Sequence, residues 1–117
     1  MERVEPIRLV FDENTPEEKE YVIEFSRKTC ADAEKGGFSA EKVDTEILTQ
    51  IPLLFFYGLK MHHPDIKKSE SDRLLFEDLG GISKELIERL IELYGSPYKT
   101  LFNETGKPKN PRMTVRL

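Results

Sequence analysis

The 117-residue chain has no tryptophan, one cysteine and two histidines. A lone cysteine excludes an internal disulfide framework and fits a reducing compartment. The histidines are adjacent, His62 and His63. Neighbours on a helix point ~100° apart, so the pair does not easily share an ion, and zinc needs three or four ligands at workable spacing. The sequence therefore predicts no metal site. Surplus positive charge is missing too. Eighteen lysines and arginines stand against 22 carboxylates, a net charge of -4, which argues against the basic face of a nucleic-acid binder. Long apolar runs are scarce, and the one present falls short of the ~20 residues that span a bilayer. Residues 1–6 are charged from the start and lack the apolar core of a signal peptide. Together these absences predict a soluble intracellular protein with no membrane contact. No Gly-rich phosphate loop, Ser/His/Asp pattern, Cys-x-x-Cys or His-Glu-x-x-His occurs, so no catalytic residue or cofactor is expected.

What is present begins with two period-2 segments. Ile7, Leu9 and Phe11 fall on one face, as do Tyr21, Ile23 and Phe25. That alternation predicts an antiparallel hairpin with one buried face, joined by an acidic loop over 12–19. A hairpin alone is marginal, so it must pack on helices. Ser26 reads as the N-cap of a helix ending at Gly36-Gly37, with Thr29, Cys30 and Ala33 inward. Cys30 is expected to be an inert core thiol. After a polar transition in which Val43, Ile47 and Leu48 can dock comes the apolar run 51–63. Its helix is expected to start at Thr49 or Ile51, to hold Pro52 in the first turn, and to end near His63, before Pro64.

Two stripes run along that central helix. Ile51, Leu54, Phe55 and Gly58 form one, assigned to the core; Leu53, Phe56, Tyr57 and Met61 form the second, the candidate contact with other subunits or a client. Ser69 and Asp72 suggest a capping box for a helix through Leu79, stopped by Gly80-Gly81. Ser83 caps a last amphipathic helix with Leu86, Ile87, Leu90, Ile91 and Tyr94 inward and Gly95 as its stop. Its outer face carries Glu85, Glu88 and Glu92, which disfavours a helix-turn-helix DNA reader.

The expected fold is thus α+β. One domain over 1–102 packs an N-terminal hairpin on about four helices, and a basic, flexible tail covers 103–117. Within the tail Met113, Val115 and Leu117 alternate. They form a candidate contact, able to add a third strand to the hairpin or to a neighbouring subunit's sheet edge.

The order hairpin, helices, then Ile-Pro-Leu-Leu-Phe-Phe-Tyr-Gly-Leu-Lys-Met-His-His-Pro-Asp-Ile (51–66) resembles the tail assembly chaperones of long-tailed bacteriophages and prophages of Gram-positive hosts. Leu-Phe-Glu-Asp-Leu-Gly-Gly-Ile (75–82) and the ending Lys-Asn-Pro-Arg-Met-Thr-Val-Arg-Leu (109–117) extend the likeness to most of the chain. The resemblance implies a non-catalytic, self-associating protein of the host cytoplasm, absent from the finished virion. It implies a partner, the apolar tape measure protein, kept soluble until tail tube protein replaces the chaperone. A longer frameshifted form would recruit the tail tube protein; this chain looks like the short form. The alternatives are another phage morphogenesis protein, for head–tail joining or tail completion, and a small DNA-binding regulator.

Overall fold

In a computed structural model, which describes residues 4–100 and 107–116, the chain folds as α+β. Strands β1 (Ile7–Phe11) and β2 (Lys19–Ile23) pair antiparallel, with Leu9 opposite Tyr21 and Arg8 opposite Val22. Their inner face follows the period-2 reading, but β2 lies two residues earlier than its apolar pattern indicated. Phe25 is buried just beyond the strand. The connecting turn uses left-handed backbone at Asp12 (φ 51°) and Asn14 (φ 66°), residue types that tolerate it.

Helix α1 (Arg27–Lys35) starts where expected. Ser26 Oγ accepts from the Thr29 N–H at 3.2 Å, and Thr29 Oγ1 accepts in return from the Ser26 N–H at 2.9 Å. The central helix α2 (Ile47–Lys60) begins a turn earlier than anticipated, with Glu46 at its N-cap. Pro52 therefore sits in the second turn, not the first. The N–H it lacks would have bonded the Leu48 carbonyl. A short 3-10 turn at Ala40–Lys42 precedes this helix.

The segment after His63 departs from its capping-box reading. Helix α3 (Lys68–Arg73) starts after Lys67 with no side-chain cap; Ser69 lies within it, and Asp72 pairs with Lys68 at 2.7 Å. A π-helical stretch, Leu74–Asp78, carries the chain to Gly80 and Gly81, both with positive φ (93° and 115°). Helix α4 (Lys84–Gly95) is capped by Ser83 Oγ, which accepts from the Leu86 N–H at 3.1 Å. Gly95 does not end the chain's helical path, which tightens into a 3-10 stretch, Ser96–Thr100.

Helix α2 is the hub, touching β2, α1, α3 and α4. Its first stripe is core: Ile51, Leu54 and Phe55 are wholly buried, and Gly58 is buried against the hairpin. The close approach there has a physical cause. A Cβ on Gly58 would lie 2.6 Å from Ile23 Cγ2 and 3.0 Å from Phe25 Cε2, so only glycine lets strand and helix cross at this distance.

The far edge of β2 is sealed by the C-terminal end of α2. The Val22 N–H donates to His63 Nε2 at 3.0 Å and the Glu24 N–H to the Gly58 carbonyl at 3.1 Å. His63 thus serves as a neutral acceptor at the strand edge. Residues 113–116 form no strand, so the sheet stays two-stranded among the described residues. Leu117, the turn expected around Leu101 and Phe102, and the boundary placed at 102/103 lie outside the described residues.

Candidate interaction surface

Among the described residues Cys30, His62, His63, Tyr94 and Tyr98 all have hydrogen-bond partners within the fold. Cys30 is buried between α1 and α4, where its Sγ donates to the Tyr94 carbonyl at 3.4 Å. Burial, with Glu34 nearby, pushes its thiol up to about 12, so the reactive thiolate is scarce at neutral pH. Glu34 accepts from both the Tyr94 hydroxyl (3.3 Å) and the Tyr98 hydroxyl, and the two hydroxyls lie 2.9 Å apart. Burial raises both phenols' pKa values, Tyr94's far above the usual range. These bonds tie α1 to α4 and to the 3-10 stretch behind it. His62 Nε2 lies 2.8 Å from Glu24 Oε1, whereas His63 turns to the strand edge. The histidines therefore face different partners. Burial and the neighbouring His62 lower the pKa of His63. Among the described residues no group of three or more His, Cys, Asp or Glu is arranged to hold a metal ion. No helix among them is long and apolar enough to cross a membrane.

What the molecule displays is apolar surface, in two places. The outward face of α2 carries the second stripe. Leu53, Phe56 and Tyr57 are half-buried and Met61 is 37% exposed. The Gly36-Gly37 turn covers part of this face, with Tyr57 packed against Gly36 so closely that a Cβ there would meet its hydroxyl at 2.2 Å. Lys60 Nζ lies 5.2 Å from the centre of the Phe56 ring, a cation–π contact, and Phe56 meets Tyr57 in a T-shaped contact with ring centroids 5.1 Å apart.

The second place is a groove at the other end of the helix, between the first turns of α2 and α4. It is lined by Ile47, Leu48, Phe76, Ile82 and Ile87, with Ser83, Lys84 and Glu88 among them. Leu48 is 79% exposed and Phe76 43%, with Leu79 also exposed close by in sequence. Large apolar side chains gathered this way are unusual on a surface that has no partner. The sequence reading placed Ile47 and Leu48 in a docking linker. The missed signal was the pairing of two apolar residues ahead of Pro52 with Phe76 and Ile82, on either side of a Gly-Gly turn.

The tail candidates remain separate from both places. Met113 is 57% exposed and Val115 51%.

Comparison with curated proteins and with solved structures finds no match to either. A family profile, that of the domain of unknown function DUF5055, does match, and it covers residues 6–117. The chain belongs to the DUF5055 family.

Proposed function

We propose that this protein is a tail assembly chaperone of a long-tailed bacteriophage or prophage, holding the tape measure protein soluble through non-catalytic contacts in the host cytoplasm. The observation that carries the reading is the groove of Ile47, Leu48, Phe76, Ile82 and Ile87, in which Leu48 and Phe76 stand exposed. The resemblance of residues 51–66 and 75–82 to such chaperones supplies the identity of the client. A client-coating protein needs apolar contacts weak enough to be displaced by the tail tube. Each large apolar side chain buried at a contact contributes about 1.5–3 kcal/mol before the costs of association. Two or three such residues per subunit give weak single contacts, and repetition along a long client makes them strong. The outward stripe of α2, with Phe56, Tyr57 and Met61, would extend the same surface.

Co-expression with the tape measure protein tests the reading. The wild-type chain should raise the client's soluble fraction, and Leu48→Asp with Phe76→Asp should abolish that gain. Both side chains are exposed, so circular dichroism should show an unchanged fold. A client that stays insoluble beside the wild-type chain refutes the proposal. So does finding the protein in purified virions, which would identify a joining or completion protein instead.

A further inference from the structure

Among the described residues the hairpin has one sealed edge and one open edge. Val22 directs its N–H to His63, away from β1, although Arg8 is its cross-strand partner. Arg8 and Val22 are therefore a non-hydrogen-bonded pair, and antiparallel alternation makes Val10 and Glu20 another. It follows that the backbone N–H and C=O groups of Arg8 and Val10 point outward from β1, on the side away from β2. A row of such groups is a template for another strand.

That open edge runs along a cleft of about 490 Å³. One wall is formed by residues 6–9 and the other by the 79–83 turn, with Leu86 and Arg89 of α4 between. A strand added to that edge would lie about 4.8 Å from β1, on the cleft side. Leu79, Ile82 and Leu86 offer apolar contacts. Arg89 ties α4 to the segment ahead of β1, its Nη2 donating to the Glu5 carbonyl at 2.6 Å.

Residues 113–116 have the matching chemistry. Met113 and Val115 alternate and stand exposed, so the segment is not seated in its own chain's cleft. Residues 107–116 hold four cations and no carboxylate, leaving 14 cations against 22 carboxylates on the rest of the chain. A basic segment is thus attracted to the acidic body as a whole, with Glu85 the carboxylate lining the cleft beside Arg8 and Arg89. We propose that the cleft beside β1 takes residues 113–116 of a second copy as a third strand, a head-to-tail contact that can repeat from copy to copy. The contact does not depend on the chaperone reading, because no client takes part in it.

Sedimentation of the full chain over a range of concentrations tests this, with two variants. Val10→Pro removes an outward N–H at an edge position where proline is tolerated. Met113→Asp with Val115→Asp changes only exposed tail residues and leaves the body folded. The wild type should associate progressively as concentration rises. Each variant alone should bind itself about tenfold more weakly or worse, the loss expected for at least one backbone hydrogen bond. An equal mixture should form a heterodimer, because one variant keeps the tail and the other keeps the edge. A wild type that stays monomeric overturns the proposal. If its tail amides are then protected from hydrogen exchange, the chain's own tail fills the cleft. Association that survives in both variants, or a mixture that fails to pair, overturns it equally.

Discussion

Replacing Gly58 by alanine sets two effects of opposite sign against each other. In a helix interior alanine is favoured over glycine by about 1 kcal/mol, so propensity alone makes Gly58→Ala stabilising. Packing says otherwise. The new methyl would stand 2.6 Å from Ile23 Cγ2 and 3.0–3.1 Å from Phe25 Cε2 and Cζ. Ile23 is wholly buried and Phe25 nearly so, so neither can swing into water, and overpacking of this kind costs about 1–3 kcal/mol. Relief requires β2 to move off α2. That movement stretches the Glu24 N–H to Gly58 carbonyl bond and the Val22 N–H to His63 bond, each worth about 0.5–1.5 kcal/mol net. Overpacking less the propensity gain leaves about 0–2 kcal/mol and loss of both bonds adds about 1–3, so the sum is a destabilisation of about 1–5 kcal/mol, or a fall in Tm of roughly 4–20 °C for a domain of this size. Urea unfolding followed by circular dichroism measures it, and the m-value should not change. Gly95→Ala is the internal control. It lies at the end of α4 with nothing within 4 Å of the added Cβ, so the same substitution should stabilise there. A Gly58→Ala protein as stable as the wild type, or more so, refutes the close-crossing argument.

Three further outcomes follow from buried polar groups. Burial and His62 hold the pKa of His63 below its ordinary 6.5, so in this pH range the unfolded chain binds the proton that the folded chain refuses. The stability that neutral His63 confers is therefore full above 6.5 and falls as pH drops from there toward the lowered folded value. Unfolding midpoints measured from pH 7.5 to 5.5 should show a steeper fall for the wild type than for His63→Gln; equal slopes would remove His63 from the account. Ser71 is wholly buried and its Oγ finds no partner among the described residues. Ser71→Ala should therefore raise stability by about 1 kcal/mol in thermal unfolding, and a loss would mean the hydroxyl is bonded. Gln50 is buried, with its Oε1 accepting the Ser39 N–H at 2.8 Å. Gln50→Leu strands that N–H and should cost about 1–3 kcal/mol; an unchanged urea midpoint would show that water replaces the amide.

Where local pattern and tertiary structure agree, the fold was legible. The hairpin face, the Ser26 and Ser83 caps and the inner stripe of α2 all follow from periodicity and cap chemistry that act within a few residues. The misreadings share a cause, because each depended on a contact from far along the chain. Proline suggested a helix start at Thr49 or Ile51, but Glu46 begins α2 earlier because Gln50 and Ile51 are held in the core. Ser69 matched a capping pattern, yet α3 starts before it, with buried Ser71 facing inward. Leu93 was not placed in the core, though it is buried alongside Leu86 and Leu90. The bond between His63 and Val22 spans 41 residues, and no spacing rule announces it. The groove was hidden for the same reason. Its two sides, Ile47 and Leu48 on one and Phe76, Ile82 and Ile87 on the other, become neighbours only after α2, α3 and α4 have packed.

The two ends of α2 are consequently used in opposite ways. At its C-terminal end the helix is committed to the fold: the Gly58 carbonyl and His63 occupy the outer edge of β2 and remove it as a docking template. At its N-terminal end the helix projects Ile47 and Leu48 past the core into the groove. Pro52 stands between these regions and leaves the Leu48 carbonyl without its helical donor, so the first turn is held by fewer internal bonds than the rest. A contact turn that is less tightly held than its core can adjust to different apolar partners, while wholly buried Ile51, Leu54 and Phe55 keep its position fixed. The proposed grip on a long apolar client at many unlike points, followed by release, would be served by that division. The same reasoning makes Pro52→Ala informative, because restoring the N–H should stiffen the groove and narrow the range of partners it accepts while raising stability.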